Sequence, residues 1–559
     1  MEQYPKYRAS EPVAIENRVW PTRRITRPPA WVSVDLRDGN QAFARPMNVA
    51  TKIRYFQMLT QIGFKEIEVA YPASSAEEFE FVRRLIAENL IPDDVRISVL
   101  TAARENLIAR TIESLQGVRQ ATIHCYVATS DLHREFVFHK TEAEITEMAV
   151  SATKMIAEVL EQNGMRDAIH YEFSPEEFSD SRLGFIVDLA SAVHDAWRPN
   201  GKADFILNLP ATVERRPPYE YADMVEAFTR SYPYMADTTL SVHTHNDQGG
   251  AVAAAEMAVL AGAERVEGTL CGHGERTGNM DLVMFALNLK SRGVDPGLDF
   301  SNLPEIVEFI EEVSDIRIHP RAPYTGELVF TAFSGTHQDA IRKGMAQREE
   351  ISARFKQGWK MPYLHLDPAD IGRNYDGLIR INSQSGKGGI AYILESVYGI
   401  SIPKPMQPVV AREVQRAAEA SGNEVSAVEI HRIFMEKFVD AGGKVRIGGF
   451  RIQRPAPTGV DQTGVELELK VGDSTYAVLG TGSGPIEAAV AALNRCPALP
   501  DFQVESYSEH ALGRGSSAQA IAFIGLKFED SETIVYGVGV NANINLAAIG
   551  AIAAALNRR

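Results

Sequence analysis

Cysteine is scarce in this 559-residue chain: Cys125, Cys271 and Cys496 lie far apart, and none falls in a Cys-x-x-Cys pair. That excludes a disulfide framework and a zinc ribbon, and it fits a protein of the reducing cytoplasm. Long apolar runs are also missing. The amino-terminal stretch MEQYPKYRASEPVAIENRVW has no apolar signal core, and the most apolar segment, Leu546 to Leu556, is too short to cross a bilayer. A soluble protein with no membrane partner is expected. Positive charge is in deficit, because 57 Lys and Arg stand against 73 Asp and Glu, for a net charge of -16. Binding a polyanion needs a basic stripe, so no nucleic-acid partner is expected either.

What is present is enough apolar residue, 45% of the chain, to build roughly two or three globular cores. Residues 1–30, rich in Pro, Arg and Tyr without a clear period, read as an amino-terminal arm lying on a surface or on a neighbouring subunit. From Trp31 short apolar strands alternate with helical stretches: Val32 to Asp35, Glu66 to Ala70, Arg96 to Leu100, Ala121 to Tyr126, Ile169 to Phe173, Asp204 to Leu209, Leu240 to His245 and Arg265 to Leu270. Eight such units match a closed (β/α)8 TIM barrel over 31–300, whose reactive groups sit on the loops after the strands. Residues 301–436 read as a mainly helical connecting region. Strands then return, and 437–559 read as a small α+β domain.

Two short segments carry most of the chemistry. In Val242-His243-Thr244-His245-Asn246-Asp247 the period-2 alternation of a strand throws both imidazoles onto one face, as two ligands of one ion require. In Leu36-Arg37-Asp38-Gly39-Asn40-Gln41, Asp38 offers a hard oxygen ligand and Arg37 a fixed positive charge for a polarised carbonyl. Alone, His-x-His is more often a packed or solvated pair and Arg-Asp-Gly a turn. Their joint placement favours the sharper reading: Asp38 follows the first strand, Ser174 and Glu176 the fifth, Asn208 and Thr212 the sixth, His243 and His245 the seventh, and Asn279 the eighth, all converging on one face of a barrel.

Taken in order, LRDGNQ, NLPATVE, HTHND, GERTGN, FSGTHQDA, NSQSGKGG and GTGSGPIEA closely resemble the 2-isopropylmalate synthases, from Trp31 to Arg558. LRDGNQ and HTHND are shared with homocitrate and citramalate synthases and hydroxymethylglutaryl-CoA lyase; the carboxy-terminal domain narrows the choice, since leucine-inhibited synthases carry one. The resemblance implies condensation of acetyl-CoA with 3-methyl-2-oxobutanoate at a divalent metal (Mg2+, Mn2+ or Zn2+), with K+ as a candidate activator, leucine as effector and a homodimer in which one subunit's connecting region completes the other's site. It implies Asn279 as the fourth residue of the metal site beside Asp38, His243 and His245. Arg37 would stabilise the keto oxygen and Thr212 would donate to the substrate carboxylate. His337 would take the acetyl methyl proton, assisted by Glu176, with Tyr363 near the thioester; Glu172 and Glu177 are the neighbouring alternatives to Glu176. His124, Leu100, Ser174 and Asn208 are candidates for the isopropyl pocket, with plain packing as the alternative. Gly480, Gly482 and Gly484 mark a helix-start turn in the leucine-sensing domain, since neither GTGSGPIEA nor Ser385-Gly386-Lys387-Gly388-Gly389 matches a phosphate-loop spacing. Three rivals remain at this stage: the same chemistry on another 2-oxo acid, a metal-dependent hydrolase on the same barrel, and a leucine-binding regulator without catalysis.

Overall fold

A computed structural model describes residues 13–332, 335–373, 387–421, 425–439, 441–453, 462–513 and 518–559. The chain divides into two compact units, Met1–Val329 with Pro368–Arg373, and Phe330–Asp367 with Asn374–Arg559. This differs from the four segments expected, in that helix-rich 301–436 is not a body of its own: its start belongs with the first unit and most of the rest with the second.

In the first unit eight parallel strands close on themselves in sequence order. They are β1 (Ala30–Ser33), β2 (Glu66–Ala70), β3 (Arg96–Ala102), β4 (Ala121–Ala128), β5 (Ile169–Glu176), β6 (Phe205–Ala211), β7 (Thr239–Thr244) and β8 (Arg265–Gly268). Each is followed by a helix: α1 (Val49–Ile62), α2 (Ala76–Ala87), α3 (Glu105–Ser114), α4 (Glu142–Gln162), α5 (Leu183–Trp197), α6 (Pro218–Ser231), α7 (Ala251–Ala261) and α8 (Leu282–Ser291), with α9 (Leu303–Ser314) after them. Local signals set the helix starts and stops. Asn48 caps α1 by accepting from Thr51 N–H, and α1 ends on Gly63 at φ 113°, a left-handed stop that suits glycine. Thr141 and Glu144 form a reciprocal capping box at the start of α4.

Alternation along the strands sorts side chains between two environments. Ile67, Val69, Ile97, Val99, Ile123, Phe173, Leu207, Val242 and Val266 are fully or almost fully buried on the helix side. The barrel interior is different, for where branched apolar residues usually fill such a core, this one holds Glu68, His124, Glu172, Ser174, Asn208, Ser241, His243, Arg265 and Glu267, all buried. Within the described part of the amino-terminal arm, Val19 and Trp20 dock on their own barrel: Trp20 Nε1 donates to Asp223 Oδ1 at 2.8 Å and the Val19 N–H to Glu226 at 3.0 Å, both acceptors on α6.

The second unit begins with α10 (Gly335–Ala346) and α11 (Arg348–Phe355), continues with α12 (Lys387–Tyr398), α13 (Gln407–Ser421) and α14 (Ala427–Phe434), and ends in two units of three strands and a helix. The first comprises β9 (Val445–Gln453), β10 (Thr463–Val471), β11 (Ser474–Gly482) and α15 (Pro485–Leu493); the second comprises β12 (Phe502–Leu512), β13 (Gln519–Phe528), β14 (Val535–Asn541) and α16 (Ile544–Asn557). Both sheets are antiparallel, ordered β11-β10-β9 and β12-β13-β14. Their apolar faces and the alanine faces of α15 and α16 share one core. Gly484 is the N-cap residue of α15, as a helix-start turn requires, but Gly480 and Gly482 are strand residues of β11 rather than part of that turn. They lie under the helix: a Cβ on Gly480 would meet Ala488 O at 2.2 Å and Ala492 N at 2.3 Å. Among the described residues no helix is long and apolar enough to cross a membrane.

Candidate active site

Immediately after β1 the chain makes a wide helical turn over Asp35–Gly39, which brings Arg37 and Asp38 over the mouth of the barrel. Arg37 Nη1 donates to Asp38 Oδ1 at 2.7 Å and its Nε pairs with Glu68 of β2. Asp38 Oδ1 is therefore taken, while Oδ2 is buried without a hydrogen-bond partner. It lies 3.6 Å from His243 Nε2 and 3.8 Å from His245 Nε2, and those two nitrogens are 3.3 Å apart. Three ligand atoms thus converge on one buried point. On the other side of the His243 ring, Nδ1 meets Glu267 Oε2 at 3.0 Å, which fixes a tautomer leaving Nε2 as the metal-facing lone pair. Asn279 pairs with His245 in an isolated bridge, gives its Nδ2 hydrogen to His273 O at 2.9 Å, and keeps a buried Oδ1 without a partner. Two unsatisfied oxygens and two imidazoles fit a divalent cation of mixed oxygen and nitrogen preference.

Electrostatics agree. Burial pushes the Asp38 carboxyl up, yet Arg37 and the two imidazoles outweigh it and hold it well below the usual carboxylate range. Burial alone would lower His243, but Asp38 and Glu267 raise it to about 9; burial and then His243 drive His245 down to about 4. Without a cation the extra proton sits on His243 while His245 stays neutral, and binding a cation at His243 Nε2 would displace it.

Below this group lies the charged interior. Arg265 of β8 reaches across the barrel to Glu172 of β5, at 2.9 and 3.0 Å, and also pairs with Glu267 at 2.6 Å and Glu66 of β2 at 2.9 Å. His124 bridges Glu68 Oε2 at 2.6 Å and Ser174 Oγ at 2.7 Å, and Asn208 Nδ2 donates to Ser174 Oγ at 3.0 Å. Burial pushes Glu172 up, whereas Arg265 and His243 hold Glu267 low despite its burial. His124, Glu172 and Glu267 also come within metal-ligating reach of one another, but Arg265 already satisfies both carboxylates. This second group is a structural network.

A cavity of about 310 Å³ opens above, lined by Arg37, Asp38, His243 and His245, by Leu100, His124, Ser174, Glu176, Asn208 and Thr212, and by Gln41, Tyr71, Tyr126, Pro210, Glu275 and Arg276. The barrel residues singled out from sequence therefore share one cavity, with Asn279 beside it. Three family models match the chain: HMGL-like over residues 28–310, the alpha-isopropylmalate synthase post-catalytic domain over 327–395, and the LeuA allosteric (dimerisation) domain over 424–559. The 2-isopropylmalate synthase of Ralstonia nicotianae is 48% identical over 553 residues, 99% of this chain and 94% of that protein. Those of Rhodospirillum rubrum and Clostridium acetobutylicum are 45% and 43% identical, each over 99% of this chain and over 98% and 99% of their own lengths. The chain belongs to the 2-isopropylmalate synthase family.

In this synthase the candidate isopropyl-pocket residues divide. His124, Ser174 and Asn208 are tied together as a polar floor, so of the four only Leu100 offers an apolar surface. The remaining hydrocarbon comes from Tyr71, Tyr126 and Pro210, which the sequence reading passed over although each lies at or just after a strand end. Glu275 and Arg276 of GERTGN were missed too; Arg276 donates to Asp247 at 2.7 Å and to Thr212 O at 2.6 Å, tying the loops after β6, β7 and β8 together. His337 and Tyr363 belong to the second unit, where their rings stack with centroids 3.9 Å apart and Tyr363 is 63% exposed. Ser385 and Gly386 lie outside the described residues.

Proposed function

We propose that this enzyme condenses acetyl-CoA with 3-methyl-2-oxobutanoate and water to give 2-isopropylmalate and CoA, the first committed step of leucine synthesis, under feedback by leucine. The observation that carries the reading is the joint presence, in a chain matched end to end by 2-isopropylmalate synthases, of the Asp38, His243 and His245 group and a cavity with a polar floor and an apolar wall. Asp38, His243, His245 and Asn279 would hold a divalent cation, Mg2+, Mn2+ or Zn2+, which when bound supplies Lewis-acid polarisation of a chelated 2-oxo acid. Thr212 donates to the acid's carboxylate, and Leu100, Tyr71 and Tyr126 contact its branched end. Arg37, held by Glu68 and Asp38, stabilises the negative charge that grows on the keto oxygen as the new carbon-carbon bond forms. His337 takes the acetyl methyl proton, with Tyr363 stacked against it near the thioester. Glu176, whose carboxyl burial raises, assists the proton transfer. Water then cleaves the thioester and CoA leaves.

His337 and Tyr363 act from a second copy of the chain, and the match to a dimerisation domain supports a homodimer. Leucine acts on the two strand-helix units around Gly480, Gly482 and Gly484; K+ activation and a cytoplasmic setting belong to the same reading. One branched alkyl group is worth only a few kcal/mol of discrimination, roughly 10- to 200-fold per methylene, so the acceptor is the point to test. Thiol release from acetyl-CoA is measured with a panel of 2-oxo acids, with and without metal, K+ and leucine. Preference for pyruvate or 2-oxoglutarate over 3-methyl-2-oxobutanoate would overturn the substrate assignment.

A further inference from the structure

Directly after Glu176 the chain passes through a residue in an unfavourable conformation. Glu177 is buried and sits in the left-handed region, φ 61° and ψ 34°, which a residue with a Cβ adopts only when its surroundings impose it. The surroundings here are specific. The Glu177 carboxylate accepts from the Ser130 hydroxyl and from His133 Nδ1 at 2.6 Å, both in the connection after β4, where His133 opens a helical turn over His133–Phe138. The Ser130 oxygen in turn accepts from the His133 backbone N–H at 3.3 Å. The Glu177 carbonyl accepts from Asp180 N–H at 3.0 Å and Ser181 Oγ at 2.9 Å, and the preceding Glu176 carbonyl accepts from Thr129 N–H at 3.0 Å and Thr129 Oγ1 at 2.8 Å. Residues 129–133 therefore grip residues 176 and 177 by backbone and side chain together.

The peptide plane that leads into the left-handed residue, held at its carbonyl edge by Thr129, presents its N–H edge to the cavity wall. Glu177 N–H donates to Thr212 Oγ1 at 2.9 Å. A threonine hydroxyl carries a single hydrogen, and once an N–H approaches its oxygen that hydrogen turns elsewhere. Thr212 lines the cavity, so that hydrogen is free to turn into it. Ser130, His133 and Glu177 do not form a nucleophile and base, because the serine hydrogen is already given to the carboxylate oxygen that also receives the histidine hydrogen.

We propose that Ser130, His133 and Glu177 are positioning residues: their hydrogen bonds hold the Glu177 backbone in its left-handed form, and the Glu177 N–H then fixes Thr212 as a hydrogen-bond donor to the carboxylate of the 2-oxo acid. The inference rests on the assignment of Thr212 to that carboxylate. An unset hydroxyl would spend part of its time turned away or bonded to water, and a hydrogen bond to a charged group would be weakened.

Glycine adopts the left-handed form without strain, whereas valine resists it, and that contrast is the test. Glu177→Val is expected to raise KM for the oxo acid roughly 10- to 100-fold, the loss of a charge-assisted hydrogen bond, with KM for acetyl-CoA within about twofold. Glu177→Gly, which loses the same side chain but keeps the backbone donor, is expected to recover most of that loss. His133→Ala, at a half-buried position in a helical turn, should fall between them and covers the case in which the valine variant does not fold. On a Thr212→Val background Glu177→Val should add less than about twofold, since the group it positions is gone. Equal KM in the valine and glycine variants, or full additivity with Thr212→Val, would overturn the proposal. If instead Thr212→Val itself leaves the oxo-acid KM unchanged, the assignment of Thr212 is what fails.

Discussion

Gly480 gives the sharpest quantitative test of the carboxy-terminal architecture. Its ideal Cβ would stand 2.2 Å from Ala488 O and 2.3 Å from Ala492 N, both backbone atoms of α15 that no rotamer change can move. Ordinary contact begins near 3.4 Å, so in Gly480→Ala the helix must retreat by about 3.4 minus 2.2, or roughly 1.2 Å. That opens a gap under Ala488, Ala489, Ala492 and Leu493, all fully buried, and overpacking of this kind costs about 3 kcal/mol, the upper end of the usual range, because rigid backbone is what gives way. Hydrogen exchange of the full-length protein, read by mass spectrometry on peptides spanning 485–493, should show protection of α15 reduced roughly a hundredfold. Gly484→Ser is the control: nothing lies within 4 Å of its Cβ and φ is -147°, so a serine N-cap should stabilise by a few tenths of a kcal/mol. If leucine acts through this unit, inhibition should weaken in Gly480→Ala and persist in Gly484→Ser. Unchanged α15 protection in Gly480→Ala would show that the close helix-strand packing is wrong.

Three further outcomes are expected. His243→Ala and His245→Ala should each lower bound divalent metal and turnover together by at least about tenfold, and Glu267→Gln should weaken metal affinity roughly 10- to 100-fold while leaving the ligands in place; full metal content by elemental analysis in all three would remove the assigned site. His337→Ala should slow solvent exchange of the acetyl methyl protons about 10²- to 10⁴-fold while oxo-acid affinity stays within about twofold; unchanged deuterium uptake by NMR would move the base to Glu176 or Glu172. Asp35 is buried, and desolvation raises it to about 7 although Ser33 Oγ, Tyr55 OH and Leu270 N–H all donate to it. Because the folded value exceeds the unfolded one of 3.8, its contribution is complete below pH 4 and lost as pH rises through 7. Between pH 5 and pH 8 the wild type should lose roughly 3 kcal/mol that Asp35→Asn does not; parallel urea midpoints for the two proteins would refute this.

The sequence made the order of elements and the ends of the strands readable, because both rest on local rules. Apolar runs of four to six residues separated by helical periods announce the barrel, and polar residues just past each run mark its open face. Two things resisted. A strand in a parallel barrel is buried on both sides, so alternation alone does not say that Glu68, Glu172, Arg265 and Glu267 face inward; their pairing depends on strands up to 199 positions apart, as Arg265 and Glu66 are. Within the site, the histidine and aspartate drew attention by their chemistry, whereas Tyr71 and Tyr126 resembled ordinary core aromatics. Gly480 and Gly482 read as a turn because glycine next to a helix start usually signals one, while here the missing side chain lets a helix lie on a strand.

The reach of Arg265 bears on how the barrel comes together. Glu172 on the fifth strand finds its counter-charge on the eighth, the last barrel strand to be synthesised, while Glu66 on the second, already paired with Arg96 of the third, gains a second partner there. A chain ending before Arg265 would have to bury Glu172 without its guanidinium, and removing one partner from a buried ion pair costs about 3–5 kcal/mol. An incomplete barrel is accordingly penalised until the closing strand arrives. Circular permutants that move β8 to the amino terminus should relieve that delay, and fragments lacking it should stay open.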